Sequence, residues 1–372
     1  MKWLSFIFII LIAAQLSAQK YKPYEYKQSK FNVSGSYYWG TIVKHNSKFG
    51  PDITQKSHGF ELSFSKITKG NKAWQRKLNY PEIGGALFMA RFGDNEIFGN
   101  AIGAFPYAKI WILRRKVVDW YFRMGIGLAY LNKPYHVIDN PTNNVIGSKI
   151  NNITQLSMGF DFKIRPELSL FTGLNFTHFS NASFQTPNLG INYVAFSTGF
   201  RYNPKPQLGG YNTDEIPKPK QKNFAKLAYS MAFYEYRTPN GPKYPVIEFT
   251  GAYARATSIV NRVFGGVYYA FDMGRLEYMH LFGYEYKNRE AHMLGFFVGD
   301  ELFLGRVSLD AYVGVYAMKL FEDKTPIFAK LGLNYHAVKF GETKEKSFFI
   351  SAHMKTHYFV AQYFDVGIGV NL

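Results

Sequence analysis

Between Trp120 and Tyr130 the large side chains recur at every second residue. Trp120, Phe122, Met124, Ile126, Leu128 and Tyr130 share one face of an extended strand, and Tyr121, Arg123, Gly125, Gly127 and Ala129 share the other. A helix would spread these groups around its circumference, whereas a strand, whose side chains alternate, gathers them. The bulky face suits lipid and the small, partly polar face suits a narrow lumen, as in a transmembrane barrel; a soluble antiparallel sandwich carries the same alternation. Comparable segments recur at intervals of about ten to twenty residues, separated by turn clusters such as Asn71-Lys72, Gly93-Asp94-Asn95 and Asn140-Pro141-Thr142-Asn143-Asn144.

The pattern predicts an all-β chain built as a transmembrane antiparallel β-barrel. Strands are expected near 31–43, 57–67, 83–92, 100–115, 117–131, 150–164, 167–181 and 191–203, enough to close an eight-stranded barrel over 19–203. A Pro- and Lys-rich stretch over 204–222 cannot hold ladder hydrogen bonds throughout and reads as a solvated linker. Further strands are expected near 223–237, 245–257, 260–272, 275–286, 290–303, 305–319, 326–339 and 346–371, the last with an internal break. Residues 223–372 therefore form a second barrel region, so the chain is two tandem eight-stranded barrels or one barrel of about sixteen strands. Short echoes suggest a duplication: Val313 to Ala317 resembles Ile126 to Tyr130, and Lys355 to Ala361 resembles Phe176 to Ala182.

Residues 1–18 read as a secretory signal peptide: Lys2, an apolar run from Leu4 to Ala14, then Gln15-Leu16-Ser17-Ala18 with cleavage after Ala18. That run is too short to span a bilayer as a helix, and every later apolar patch is soon interrupted by a charged or amide side chain. With no cysteine, disulfides and thiolate metal sites are excluded. The 35 Phe and 28 Tyr suit strands and interfacial girdles. A net charge of +18 asks for a polyanionic partner, nucleic acid or the phosphate-bearing surface of a membrane. The signal peptide favours the membrane, and no Gly-rich phosphate loop precedes a helix, so no nucleic-acid or nucleotide role is expected.

The chemistry-bearing segment is Thr177 to Asn192. Leu168, Leu170, Leu174 and Phe176 share a strand face with His178 and Ser180, and Asn192 shares the next strand's face with Val194, Phe196 and Phe200. Three polar groups are thus predicted to converge on the lipid-facing side of one hairpin, where they are otherwise costly. Neutral His178 is a base of suitable strength, Ser180 a hydroxyl two residues away, and Asn192 an amide that can orient the imidazole, which together describe an acyl hydrolase. His-x-Ser alone also occurs by chance, and polar residues are normal at a barrel's rim. With a periplasmic N-terminus, the seventh strand ends outside and the site faces the outer leaflet. Asp161 and Glu167 read as solvated or lumen groups. His45, His58, His136, His280 and His292 lack ligand spacing, so neither a metal nor another cofactor is expected.

The segment His178-x-Ser180-Asn181, Pro187-Asn188, Gly190 and Asn192 resembles the lipid A 3-O-deacylase family of outer-membrane barrels, over roughly residues 30–203. The resemblance implies an eight-stranded barrel that removes an ester-linked acyl chain from lipid A of lipopolysaccharide, with Ser180 as nucleophile, His178 as base and Asn181 and Asn188 supporting the oxyanion loop. The family carries Glu where this chain has Asn192. That His, Ser and Asn spacing looks like the triad of outer-membrane phospholipase A, which leaves phospholipid as an alternative substrate. A barrel for transport or structure is the non-enzymatic alternative. In the second half His357 echoes His178, but Phe359 and Val360 replace Ser180 and Asn181, implying a catalytically silent barrel. The oligomeric state is not readable.

Overall fold

A computed structural model describes residues 27–28, 31–45, 47–204, 207–208, 210–235, 239–285, 287–319, 326–357 and 360–372. The signal peptide read over 1–18 lies outside the described residues. The first eight long strands are β1 Asn32–Ile42, β2 Ser57–Ile67, β3 Glu82–Arg91, β4 Asn100–Arg114, β5 Val118–Leu131, β6 Ile150–Lys163, β7 Leu168–Ser180 and β8 Ile191–Tyr202. Each pairs antiparallel with its neighbour, and β1 returns to β8, with Val33 opposite Tyr202, to close a barrel. A second ring comprises β9 Asn223–Glu235, β10 Lys243–Ser258, β11 Asn261–Asp272, β12 His292–Leu304, β13 Val307–Lys319, β14 Ile327–Phe340, β15 Lys346–His357 and β16 Val360–Asn371. It closes on itself, with Ala228 of β9 opposite Gly369 of β16, so the chain is two closed eight-stranded barrels and the sixteen-strand alternative falls.

One predicted strand is overturned. Of the strand expected over 275–286, the described residues 275–285 are not extended: Met273–Leu281 is an α-helix, started by Asp272, whose carboxylate accepts the Gly274 backbone N–H at 3.1 Å. The eighth strand of the second ring comes instead from the last predicted segment, which is the two strands β15 and β16.

Alternation decides which side of each wall a residue occupies. In β2, Phe60, Leu62 and Phe64 point outward while Glu61, Ser63 and Ser65 point into the lumen. A one-residue slip of register would exchange the two sets, so the pattern fixes the pairing. Outward side chains such as Leu128 and Leu174 are 66% and 67% exposed, and Phe249, Phe296, Phe348 and Ile368 repeat the arrangement in the second barrel. A continuous apolar exterior of this kind is stable against lipid rather than water.

Neither lumen is open. In the first barrel Arg123 pairs with Glu61 at 2.8 Å, Arg201 with Glu82 and Asp161 at 3.3 and 3.0 Å, and Lys109 with Asp161 at 3.2 Å. Nearer the long loops the filling turns apolar, with Phe88, Phe92, Phe98, Phe179, Ile191 and Tyr193 in one cluster. A void of about 20 Å³ beside Tyr38, Glu61 and Arg123 is room for roughly one water. The second lumen holds Lys330 between Glu248 and Asp365 at 2.5 and 2.8 Å, Lys226 between Glu301 and Asp310 at 3.2 and 3.0 Å, and His353 on Asp310 at 2.6 Å.

Candidate active site

The site lies on the outer face of the first barrel, where β7 and β8 reach the loop that joins them. Leu168, Leu170, Leu174 and Phe176 run up the outside of β7, and the same face continues into His178 and Ser180. On β8, Val194, Phe196 and Phe200 lead in the same way to Asn192. Register sets His178 directly opposite Asn192, and His178 Nδ1 meets Asn192 Oδ1 at 2.6 Å. An amide oxygen only accepts, so with the amide in this orientation Nδ1 carries the proton and Nε2 keeps its lone pair. The imidazole plane lies within 5° of that of Phe176, centroids 6.5 Å apart.

Gly190 closes the other side of the ring. Its φ is +82°, a conformation that costs an L side chain strain, and a Cβ built there would stand 2.7 Å from His178 Cε1. Only glycine lets the backbone pass this close to the imidazole. Its N–H donates to the Val145 carbonyl at 2.9 Å, and His45 Nε2 lies 2.9 Å from the neighbouring Leu189 carbonyl.

Ser180, 3% exposed, ends β7 beneath this loop. The Asn188 amide donates to Ser180 Oγ at 2.9 Å, and the Asn181 backbone N–H donates to Asn188 Oδ1 at 3.0 Å. Asn181 Nδ2 donates in turn to Ser148 Oγ at 2.7 Å. The five residues singled out from sequence thus form two bonded groups, His178 with Asn192 and Ser180 with Asn188 and Asn181. They are joined by the shared outer face of β7, on which alternate residues stand roughly 7 Å apart. The arrangement offers a base with a free lone pair, a hydroxyl and a set of amide donors at a water–lipid boundary.

Sequence reasoning missed the neighbours on β6. Asn152 pairs with Ser180 and Thr154 with His178, and both face outward above Leu156, Met158, Phe160 and Phe162. Alternation along β6 nonetheless places both on its outer face, as it places His178 and Ser180 on that of β7. Asp161 faces the lumen in the ion pairs already described, and the Glu167 carbonyl accepts from the Asn203 N–H at 2.8 Å in the turn before β7. Among the described residues no three His, Cys, Asp or Glu side chains are grouped to hold a metal ion.

Outside the barrel wall, Asp94 ties the 43–56 loop to the 92–99 loop. Its carboxylate accepts the Thr54 and Gln55 backbone N–H groups at 2.9 and 3.3 Å and the Thr54 hydroxyl. Burial pushes its carboxyl up, but these hydrogen bonds outweigh that and hold it below the usual carboxylate range.

In the second barrel, β15 is the seventh strand of its ring and ends at His357, as β7 ends at His178 and Ser180. There the echo stops. His357 Nε2 meets the hydroxyl of Tyr316, which packs against that barrel's core, so this imidazole turns to the lumen side, at 2.7 Å from its partner. Phe359 lies outside the described residues.

Comparison with known proteins decides the family. Residues 58–201 match the family model of lipid A 3-O-deacylase (PagL). The first barrel belongs to that family. Residues 222–372 match the model of the acyloxyacyl hydrolase C-terminal domain, so a lipid A 3-O-deacylase domain is followed by a second hydrolase-associated one. By family the chain is an outer-membrane acyl hydrolase. No curated protein matches the chain. Among solved structures, Neisserial surface protein A is 11% identical over 47% of this chain and 97% of its own, with a TM-score of 0.33. CdiB from Acinetobacter baumannii is 9% identical over 92% of this chain and 60% of its own, with a TM-score of 0.19. Omp33 of Acinetobacter baumannii is 8% identical over 93% of this chain and 98% of its own, with a TM-score of 0.16. The deacylase-family barrel carries Asn192 where the family pattern has a carboxylate, and that amide is bonded to the imidazole as described.

Proposed function

We propose that the first barrel hydrolyses an acyl ester of lipid A in the outer leaflet, with Ser180 as nucleophile and His178 as base. The observation that carries this reading is the His178–Asn192 hydrogen bond on the lipid-facing wall, which leaves Nε2 free on the side of the ring away from the amide. Ser180 Oγ attacks the ester carbonyl carbon while His178 Nε2 takes the hydroxyl proton. The carbonyl oxygen becomes an oxyanion, for which the Asn188 side-chain amide that bonds Ser180 Oγ and the Asn181 backbone N–H beside it are the proposed donors. Collapse breaks the ester C–O bond, and the imidazolium returns its proton to the leaving alkoxide. Water, deprotonated by His178, then cleaves the acyl-serine and releases the fatty acid.

Asn192 orients the ring and fixes its tautomer but, being neutral, does not stabilise the imidazolium as a carboxylate does. That observation favours a second reading, phospholipase action, in which the same groups attack a glycerophospholipid ester. The second barrel is read as catalytically silent. The net charge of +18 suits the phosphates of lipopolysaccharide, and a periplasmic N-terminus sets the end of β7 at the cell exterior.

Mass spectrometry of lipid A after incubation with the purified protein tests the reading. Loss of one acyl chain with the native chain and with a chain lacking residues 223–372, but not with Ser180→Ala, is the expected result. Release of fatty acid from phospholipid alone, with calcium present, would favour the second reading. No Ser180-dependent change in either lipid would leave a non-enzymatic barrel.

A further inference from the structure

The outer face of β6 carries a polar pair that the proposed mechanism does not use. Asn152 stands opposite Ser180 and Thr154 opposite His178, at the Cβ separation of about 5 Å typical of paired strands. Below them that face is apolar from Leu156 to Phe162. Amide and hydroxyl groups presented to hydrocarbon cost free energy unless something satisfies them. The pair ends at the same level as the serine and histidine, on the side of β7 away from Asn192.

Their own bonds show how they are set. Thr154 Oγ1 donates to Asn152 Oδ1 at 2.8 Å, which fixes the amide plane, and Asn152 Nδ2 donates to the Gly127 carbonyl at 3.1 Å. A carboxamide has two N–H donors. One is used by Gly127, and among the described residues the second meets no acceptor. A side chain serving only to knit β6 to β5 would need one donor and no tether on its oxygen. The amide is instead held in a fixed plane next to the nucleophile with a donor to spare.

We propose that Asn152 binds the substrate, giving this second N–H to an oxygen of the scissile ester as it lies against Ser180, and that Thr154 is a positioning residue acting through Asn152. The ester is then held between amides on both flanks of β7, Asn152 on the β6 side and Asn188 in the loop. This inference rests on the hydrolase reading above.

The test uses the full chain in detergent micelles with a p-nitrophenyl ester of a medium-chain fatty acid, and heat-modifiable gel migration as the check on folding. Asn152→Leu removes the donor and suits lipid; Asn152→Asp keeps the shape without an N–H donor and serves if the first fails to fold. Each is expected to lower Ser180-dependent kcat/KM by about tenfold, the scale of one lost hydrogen bond. Thr154→Val is expected to lower it less, and the Asn152→Leu/Thr154→Val double variant to be no slower than Asn152→Leu, because Thr154 works through the amide. A folded Asn152 variant within twofold of the native rate overturns the proposal, as do losses that multiply in the double variant. If instead the native chain fails to hydrolyse, or Ser180→Ala hydrolyses as fast, it is the underlying hydrolase reading that fails, and the proposal falls with it.

Discussion

At the scale of single residues, the site is a matter of which atom is allowed near the imidazole. Gly190→Ala adds one methyl group where φ is positive and where Cβ would sit 2.7 Å from His178 Cε1, so the ring must swing off Asn192. Misplacement of a catalytic group by about 1 Å costs on the order of a hundredfold. Gly190→Ala is therefore expected to lower kcat on that scale with an intact barrel, a fall that steady-state kinetics alongside gel migration will measure. His178, Ser180 and Asn192 were legible in the sequence because alternation along one strand says which residues share a face, and a hairpin brings two such faces side by side. The same alternation puts Asn152 and Thr154 on the outer face of β6, but that they stand beside Ser180 and His178 depends on the register of β6 with β7. The role of Gly190 was hidden for another reason: a glycine in a loop does not reveal which ring it makes room for.

At the scale of elements, strands were read well and the exception is instructive. Leu276, Tyr278, Phe282 and Tyr284 fall on alternate positions, which reads as a strand, yet a spacing of four residues also satisfies a helix. In the structure Tyr278 and Phe282 pack against each other one helical turn apart, centroids 4.5 Å apart and planes tilted by 37°, and Asp272 supplies the start signal that settles it. The strands of the first barrel are locked together by charges as well as by ladders. Arg201 on β8 bonds Glu82 on β3 and Asp161 on β6, so Arg201→Met leaves two buried carboxylates to share the single charge of Lys109. The expected loss of stability is about 3–5 kcal/mol, to be read from urea unfolding in micelles. The Asp94 clamp responds to pH. Its carboxyl is held below the usual range, so its contribution is complete above the ordinary carboxylate pKa and is lost as pH falls through the lowered one. Amide exchange of Thr54 and Gln55 is expected to quicken in acid before that of the strands does.

At the scale of the whole molecule, the strand count was legible but the closure was not, because sixteen strands fit one ring or two. The choice depends on pairings such as Val33 with Tyr202, which no local pattern displays. Each ring being small, its lumen is taken up by its own side chains, Lys330, Glu248 and Asp365 in one and Arg201, Glu82 and Asp161 in the other. The purified protein is accordingly expected to show no channel conductance in a planar bilayer, and steady ion currents would contradict the filled lumens. The position of Ser180 and His178 on the outside of the wall then has a consequence for how the protein must be assayed. On the proposed hydrolysis of a membrane lipid, the substrate arrives sideways, by two-dimensional diffusion within a leaflet. The variable that governs turnover is therefore the mole fraction of substrate among its neighbouring lipids, not its concentration in the surrounding water, and inert lipid acts as a diluent even when the bulk amounts stay the same.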